Sequence, residues 1–202
     1  MARGIARDHA EKRAAIRKGA AEYFATHGFD RASMAGAAAH CGVSKALLYH
    51  YYGSKNDLLF DILDTHLSEL LQVVEAVTPG PERLRRLIHA ILTNYRNADA
   101  EHMLQADALD KLPAERRRPL VEVQRRIVRV MEQVLAETAS GQITNPARHR
   151  ALAMAVFGML NWFYMWHRPG KGVSRKEYGD LVADLVLGGL PGLLENTGKN
   201  PP

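Results

Sequence analysis

The sequence is poor in cysteine and contains no long apolar run. Cys41 is the only cysteine among 202 residues, which excludes an internal disulfide framework and a cysteine-rich zinc site and fits a reducing cytoplasm. The longest nearly apolar stretch runs from Ala151 to Trp166, and a membrane span needs roughly 18 residues or more. The first residues are charged and lack the apolar segment of a secretory signal. We therefore expect a folded cytoplasmic protein without a membrane partner.

The short motifs of common enzyme classes are also absent. The sequence has no G-x-S-x-G elbow, Walker loop, dinucleotide-binding fingerprint or H-E-x-x-H zinc motif. Its nine histidines are scattered, and Cys41 stands where a small buried residue is needed. We predict that the protein is not an enzyme and has no cofactor or metal site.

Positive charge is concentrated in the first quarter of the chain. Residues 1–55 hold nine of the 27 Lys and Arg residues but only four of the 22 acids, so this segment carries the whole formal charge of +5. Such asymmetry indicates a polyanionic partner, nucleic acid before a membrane surface, and a merely soluble basic face is the alternative. Arg3 and Arg7 would form either an arm in the DNA minor groove or a disordered tail.

Apolar residues recur at helical spacing nearly throughout, and no segment shows sustained alternation, so we predict an all-α protein. The predicted helices cover residues 8–27, 34–40, 45–51, 55–77, 82–97, 99–111, 114–139, 147–167 and 175–194. We predict a three-helix DNA-binding domain over residues 1–54 and a helical ligand-binding and dimerisation domain over residues 55–202, connected by helix 55–77. The clearest break is the Pro- and Gly-containing segment 78–81.

The most informative stretch runs from Ser33 to Lys55. Ser33 and Ser44 are suitable N-caps of two short helices, and Gly42 gives the turn between them its backbone freedom. This arrangement is typical of a helix-turn-helix, whose second helix would be the recognition helix with Leu48 facing inward. Groups able to contact phosphates and base edges would face outward: Ser44, Lys45, Tyr49, His50, Tyr51 and Lys55. The free N–H groups at the start of the next helix predict one more phosphate site.

Residues 33–55 resemble the TetR family of bacterial transcriptional regulators, whose pattern reads roughly T-x-x-x-I-A-x-x-A-G-V-S-x-G-x-L-Y-x-Y-F-x-S-K. The sequence matches at Ala38, Gly42, Val43, Ser44, Leu48, Tyr49, Tyr51, Ser54 and Lys55. Ser33 and Tyr52 are mild substitutions, and the departures are Ala37 for Ile, Cys41 for Ala and Ala46 for Gly.

The resemblance implies a homodimer in which each subunit places its third helix in the major groove of a pseudo-palindromic operator, with half-sites about 34 Å apart. By this resemblance, phosphate contacts would come from Ser33, Ser44, Tyr49 and Lys55. The residues nearest the bases would be Lys45, Ala46, Leu47 and His50.

The second predicted domain is apolar and aromatic. A pocket for a small hydrophobic effector is one interpretation, and plain core or dimer interface is the other. The candidate effector-binding residues are Tyr95, Met103, Phe157, Asn161, Trp162 and Trp166, with Arg125 and Arg129. The last helix, with Leu181, Leu185 and Leu190, is suited to a dimer contact, and the resemblance also implies a four-helix dimer bundle from the last two long helices.

The arginines of helix 114–139 are either a solvated, ion-paired face or a site for an anionic effector. The stretch from Asn161 to Pro169 resembles the subset of the family that senses acyl-CoA thioesters. This resemblance implies a CoA thioester as effector, with arginines for its phosphates. An uncharged hydrophobic drug or metabolite is the alternative. Two other classes remain, an architectural DNA-binding protein without an effector and a small helical enzyme or lipid carrier.

Overall fold

The computed structural model describes residues 2–139, 145–168 and 170–195, with side chains for residues 7–139, 145–168 and 170–190. Within these ranges the chain forms nine α-helices, one 3-10 helix and no β-strand, which confirms the predicted all-α class. The elements are α1 (Ala2–His27), α2 (Met34–His40), α3 (Lys45–Tyr51), α4 (Lys55–Glu75), α5 (Arg83–Asn94), α6 (Asp99–Asp107), the 3-10 helix (Leu109–Lys111), α7 (Ala114–Thr138), α8 (Pro146–Trp166) and α9 (Arg175–Glu195).

Helix α1 begins earlier than predicted. Arg7 pairs with Glu11 at 2.8 Å and Lys12 pairs with Asp8 at 2.9 Å. Such pairs, four residues apart on an exposed helix, stabilise it by a few tenths of a kcal/mol each. Because α1 begins at Ala2, the backbone of Arg3 is helical. Its side chain is outside the described residues, so the predicted minor-groove contact of Arg3 stays a prediction.

Two other helix ends differ from the prediction. Helix α5 ends at Asn94 rather than Asn97, and Asn97 adopts a φ of 63°, a left-handed conformation that a helix cannot contain. The predicted helix 99–111 is divided at Ala108, whose φ of −122° separates α6 from the 3-10 helix. The remaining predicted ends agree to within two residues.

The chain divides into two compact units that do not follow the predicted division after residue 54. The first unit comprises Met1–Ser68 and Asn97–Glu122, and the second comprises Glu69–Arg96 and Val123–Pro202. Helices α4 and α7 therefore each contribute residues to both units, and α6 belongs to the first.

Ion pairs explain why the first unit includes α6 and the start of α7. Lys18 of α1 donates to the carboxylate of Glu101 at 3.2 Å and to the backbone carbonyl of Asn97. Arg116, near the start of α7, pairs with Asp57 of α4. These contacts join elements distant in sequence, which a division by sequence alone could not anticipate.

In the second unit, α9 packs closely on α5. Gly179 lies so near the ring of His89 that an added Cβ would come within 2.8 Å of it. Polar contacts fix the same pair of helices: His89 meets Asp180 at 2.8 Å, and Arg85 reaches Asp180 at 3.2 Å and Asp184 at 2.5 Å. The absence of a side chain at position 179 therefore allows both the close approach and the polar contacts beside it.

Candidate nucleic-acid interface

The connection between α2 and α3 is a Schellman turn. The N–H of Val43 donates to the carbonyl of Ala38 at 3.0 Å, and the N–H of Gly42 donates to the carbonyl of Ala39 at 3.1 Å. Gly42 has a φ of 66°, which only glycine adopts without steric cost. The turn predicted from the sequence is thus formed by backbone hydrogen bonds at the end of α2.

Small residues bring α1 and α2 close together. Ala37 is fully buried, and Cys41 is half-buried with its thiol directed at the carbonyl of Ile16 at 3.5 Å. A Cβ added at Gly19 would lie 2.9 Å from the Cys41 sulfur. Burial raises the pKa of the Cys41 thiol, so the group stays protonated and serves packing.

Both predicted caps are formed, and α3 is oriented as predicted. The hydroxyl of Ser33 accepts the N–H of Gly36 at 3.0 Å, and that of Ser44 accepts the N–H of Leu47 at 3.0 Å. Leu48 is fully buried beneath α3. The exposed members of the predicted DNA-binding set are Ser33, Ser44, Lys45, Ala46, Tyr49 and His50, whereas Leu47, Tyr51 and Lys55 are half-buried.

The ring of Tyr51 rests against the early part of α1. Its centroid lies 4.5 Å from that of His9 and 5.7 Å from that of His50. His9 could not be identified from the sequence, because its position next to α3 depends on the helical path of the first residues. His9 therefore lies beside the surface that carries the predicted contacts.

A polar network that sequence reasoning missed holds the end of α3. The hydroxyl of Tyr52 donates to Asp61 of α4 at 2.7 Å, and Arg13 of α1 contacts Asp61 at 2.7 Å. Arg17 adds a longer contact to the same carboxylate at 3.5 Å. Burial, with the Asp61 hydrogen bond, raises the pKa of Tyr52 to about 12. One carboxylate thus ties α1, the residue after α3 and α4 together.

Lys55 does not project outward as the sequence predicted. Its ammonium donates to the carbonyl of Phe29 at 2.8 Å, of Ala32 at 3.0 Å and of Asp30 at 3.3 Å. It also lies 4.4 Å from the centroid of the Phe29 ring, a cation–π contact. In this structure the ammonium therefore satisfies the carbonyls of the loop between α1 and α2, and the predicted phosphate contact needs correction.

The start of α4 is also occupied by a group of the protein. The hydroxyl of Ser54 accepts the N–H of Asp57 at 3.1 Å and donates to the carboxylate of Asp57 at 2.8 Å. A carboxylate at a helix N-terminus interacts favourably with the helix dipole. Because Asp57 already places negative charge there, the site is less suited to a phosphate than the sequence suggested.

Much of the positive charge counted in the sequence is used inside the first unit. Arg13 and Arg17 share Asp61, and Lys18 holds Glu101. Lys45, by contrast, has no ion-pair partner among the described residues, and its ammonium lies 5.8 Å from the centroid of the Tyr49 ring. The charge available on α3 is thus smaller than the excess of +5 and is centred on Lys45.

Comparison with known proteins shows which protein family this helix-turn-helix belongs to. The family described as "Bacterial regulatory proteins, tetR family" matches residues 16–62, and the one described as "Tetracyclin repressor-like, C-terminal domain" matches residues 77–190. The chain belongs to the TetR family of bacterial transcriptional regulators. The resemblance drawn from residues 33–55 is confirmed, and the protein is a regulator of transcription rather than an enzyme.

Three relatives illustrate the likeness. A TetR-family regulator from Bordetella parapertussis 12822 has a solved structure with a TM-score of 0.81 and 30% identity, covering 87% of this chain and 93% of that one. The HTH-type transcriptional repressor KstR2 of Mycolicibacterium smegmatis is 24% identical over 177 residues, 85% of this chain and 86% of that protein. AibR, solved with isovaleryl coenzyme A and operator DNA, has a TM-score of 0.73 at 23% identity, covering 86% of this chain and 97% of AibR. The likeness to AibR is one of fold alone.

In this TetR-family chain, three predicted effector residues occur in the second unit on α8 and at the end of α5. The hydroxyl of Tyr95 donates to the side-chain oxygen of Asn161 at 2.9 Å, and Phe157 lies one turn before Asn161 on α8. Tyr95 and Phe157 are both buried, and burial raises the pKa of Tyr95. Tyr95 and the half-buried Asn161 thus form a polar pair beside the buried Phe157, and their role in binding an effector stays a prediction.

The two tryptophans lie elsewhere than predicted. Trp162 is 61% exposed and Trp166 is 45% exposed, so within one chain neither lines an enclosed pocket. The Trp166 ring meets the rings of Phe163 and Tyr178 at 5.1 and 5.2 Å. Helix α8 is apolar on all sides, so periodicity showed that Trp162 and Trp166 share a face but not which way that face points.

The remaining effector candidates belong to different compact units. Met103 belongs to the first unit, where it lines a cavity with residues of α1. Arg125 and Arg129 are exposed on the part of α7 that belongs to the second unit, and the neighbouring Arg126 pairs with Glu75 at 2.7 Å. A single effector site built from all of these residues stays a prediction.

The structure also brings together a histidine pair that the sequence did not reveal. His66 of α4 and His102 of α6 are buried with ring centroids 6.0 Å apart. Burial lowers the pKa of each to about 4. Both rings are consequently neutral near pH 7.

Over the described ranges, no group of three or more His, Cys, Asp and Glu side chains is arranged to hold a metal ion. Within the same part of the chain, no helix is long and apolar enough to cross a membrane.

Proposed function

We propose that the protein is a homodimeric repressor that binds a pseudo-palindromic operator through α3 and is released by a hydrophobic effector. The observation that carries the proposal is the exposed face of α3. There Lys45, Tyr49 and His50 stand on a helix fixed beneath by the buried Leu48 and at its start by the Ser44 cap. Side chains of these types donate to phosphate oxygens and reach base edges.

The roles within that face follow from position along α3. Ser33 and Ser44 keep a hydroxyl hydrogen for a phosphate while their oxygens accept the capping N–H groups. Tyr49 would add a phosphate contact. Lys45 and His50, with Ala46, Leu47 and Tyr51 around them, would lie nearest the bases. Lys55 would act through the loop that it holds.

The dimer is supported by exposed apolar side chains on α8 and α9. Leu181 and Leu185 of α9 are 53% and 61% exposed, and four large side chains of α8 are exposed as well: Met154, Trp162, Met165 and Trp166. Monomeric proteins rarely expose large contiguous apolar patches. A second copy presenting the same helices would cover them in a two-fold interface, as in dimers of this family.

The effector site proposed for the second unit centres on Tyr95 and Asn161. Their hydrogen bond gives an otherwise apolar region one polar point to orient a ligand. An acyl-CoA thioester would place its acyl group there and its phosphates near Arg125 and Arg129, since arginine forks suit phosphate. The likeness of fold to AibR, solved with isovaleryl coenzyme A, supports this effector class. An uncharged apolar metabolite is the alternative.

Fluorescence anisotropy with DNA from the upstream region of the gene tests the DNA-binding part. We expect tight, salt-dependent binding that Lys45→Ala and Tyr49→Ala weaken by about tenfold or more, with folding and dimerisation intact. Lys171→Ala, an exposed lysine before α9, is the matched control. Wild-type affinity in both α3 variants would reject α3 as the DNA-reading helix.

Adding ligands at fixed salt tests the effector. Phenylacetyl-CoA and a long-chain acyl-CoA should weaken operator binding by about 5- to 150-fold, the usual range of allosteric coupling, whereas free CoA and phenylacetate should not. The double change of Arg125→Gln and Arg129→Gln should reduce the response to the thioester. Release by a neutral apolar molecule but not by either thioester would discard the thioester and keep the regulator.

A further inference from the structure

A cavity of about 420 Å³ lies within the first unit, between the end of α1, the loop that follows it, and α6 with the 3-10 helix. Its volume falls in the usual range of small-molecule sites. It shares only Met103 with the effector residues predicted from the sequence, and it lies in a different compact unit from Tyr95 and Asn161. All of its lining residues belong to the first unit, and neither Tyr95 nor Asn161 is among them.

The inner wall of this cavity is apolar and held in place. Phe24 and Leu104 are almost fully buried and lie behind this wall, and the rings of Phe24 and Phe29 meet edge to face at 5.4 Å. Phe29, Ala25 and Met103 are the apolar lining residues that keep more of their surface accessible. The ammonium of Lys55 lies over the Phe29 ring. Because these side chains are fixed by their neighbours, the wall is preformed for an apolar group.

The rim of the cavity carries four charged residues, and only two of them are paired with each other. Lys111 and Asp30 form an ion pair. Arg31 and Asp107 have no ion-pair partner among the described residues, although both line the same cavity. One positive and one negative group are therefore left at the mouth of an apolar space.

We propose that this cavity binds a small zwitterion with an apolar body, an α-amino acid with a large apolar side chain. The carboxylate would meet Arg31, whose guanidinium donates in a fork that matches it. The ammonium would meet Asp107, and the side chain would lie against Ala25, Phe29 and Met103. A simple anion would be repelled by the negative charge of Asp107, and a simple amine would be repelled by the positive charge of Arg31.

Calorimetry with the full-length protein tests the ligand class. L-Phenylalanine and L-leucine should bind saturably. Phenethylamine, which lacks the carboxylate, and 3-phenylpropanoate, which lacks the ammonium, should each bind about tenfold more weakly or worse, because each loses a charge-assisted contact. Equal binding of either analogue, or no binding of either amino acid at millimolar concentration, would overturn the proposal.

Variants and a local probe place the ligand. Arg31→Gln and Asp107→Asn should each weaken L-phenylalanine binding by about tenfold, while Arg118→Gln, an exposed arginine of α7 outside the cavity, should not. In protein labelled at the methionine methyl groups, the Met103 resonance is assigned as the one that disappears in Met103→Leu. L-Phenylalanine should shift this resonance. Binding that leaves this resonance and both variants unaffected would also overturn the proposal. Failure here would leave operator binding and release by the proposed effector unaffected.

Discussion

Replacing Lys55 with methionine separates the two roles that sequence and structure assign to this residue. The methionine keeps most of the apolar stem but removes the ammonium that binds the carbonyls of Phe29, Ala32 and Asp30 at 2.8 to 3.3 Å. A hydrogen bond from a charged group contributes about 1.5–3 kcal/mol. Lys55 is half-buried and water can replace part of the loss, so we expect the free energy of unfolding to fall by about 2 kcal/mol.

The assay combines urea unfolding with operator binding at several salt concentrations. Each phosphate contact contributes about 0.9 to the slope of log K against log salt. If Lys55 holds the loop, Lys55→Met lowers stability and leaves this slope unchanged. The control Lys45→Met should change stability by less than about 0.5 kcal/mol and weaken operator binding by about tenfold or more, because Lys45 is placed nearest the bases. Unchanged stability with a lower slope in Lys55→Met would refute our reasoning and restore the phosphate contact.

Three further outcomes are expected. Gly36→Ala should lower the free energy of unfolding in urea by about 1–3 kcal/mol, because the new Cβ would lie 2.5 Å from Cζ of Tyr23. Adding Tyr23→Leu should recover part of this loss. If nothing is recovered, the clash with Tyr23 is not the cause. Leu185→Asp should yield monomers in size-exclusion chromatography, since Leu185 is exposed on α9. Burial holds the pKa of His66 and His102 near 4, below the usual 6.5. As the pH falls, these two histidines are therefore protonated in the unfolded chain before they are protonated in the folded protein. Urea unfolding should therefore show stability lost from pH 6.5 down to pH 4, by up to about 3 kcal/mol per histidine, and replacing both with leucine should remove that dependence.

The helix-turn-helix could be predicted because its determinants are local. The Ser33 and Ser44 caps each bond to an N–H three residues ahead, and the turn is closed by hydrogen bonds from the N–H groups of Gly42 and Val43 to carbonyls of α2. Residue type and spacing therefore specify these features before any tertiary contact forms. Leu48, the buried residue of α3, follows from the same periodicity.

The positions of Lys55 and the two tryptophans could not be predicted, because they depend on contacts distant in sequence. Lys55 reaches carbonyls of residues 29–32, more than twenty positions earlier. Trp162 and Trp166 lie on a helix that is apolar all round, so no polar face shows which side points inward. Charge counting failed for the same reason, since Arg13 and its partner Asp61 are 48 residues apart.

The ion pairs of α4 limit how a signal from the second unit can reach α3. Helix α4 is tied to α7 in each unit, by Asp57 with Arg116 in the first and by Glu75 with Arg126 in the second. Between these ties, Asp61 of α4 holds the hydroxyl of Tyr52 directly after α3. Because Asp61 belongs to α4, an effector that displaced α4 along its axis would carry Asp61 with it, and it would strain the pairs to α7 unless α7 moved too. The hydrogen bond from Tyr52 to Asp61 therefore gives a direct contact through which a movement of α4 would act on the end of α3.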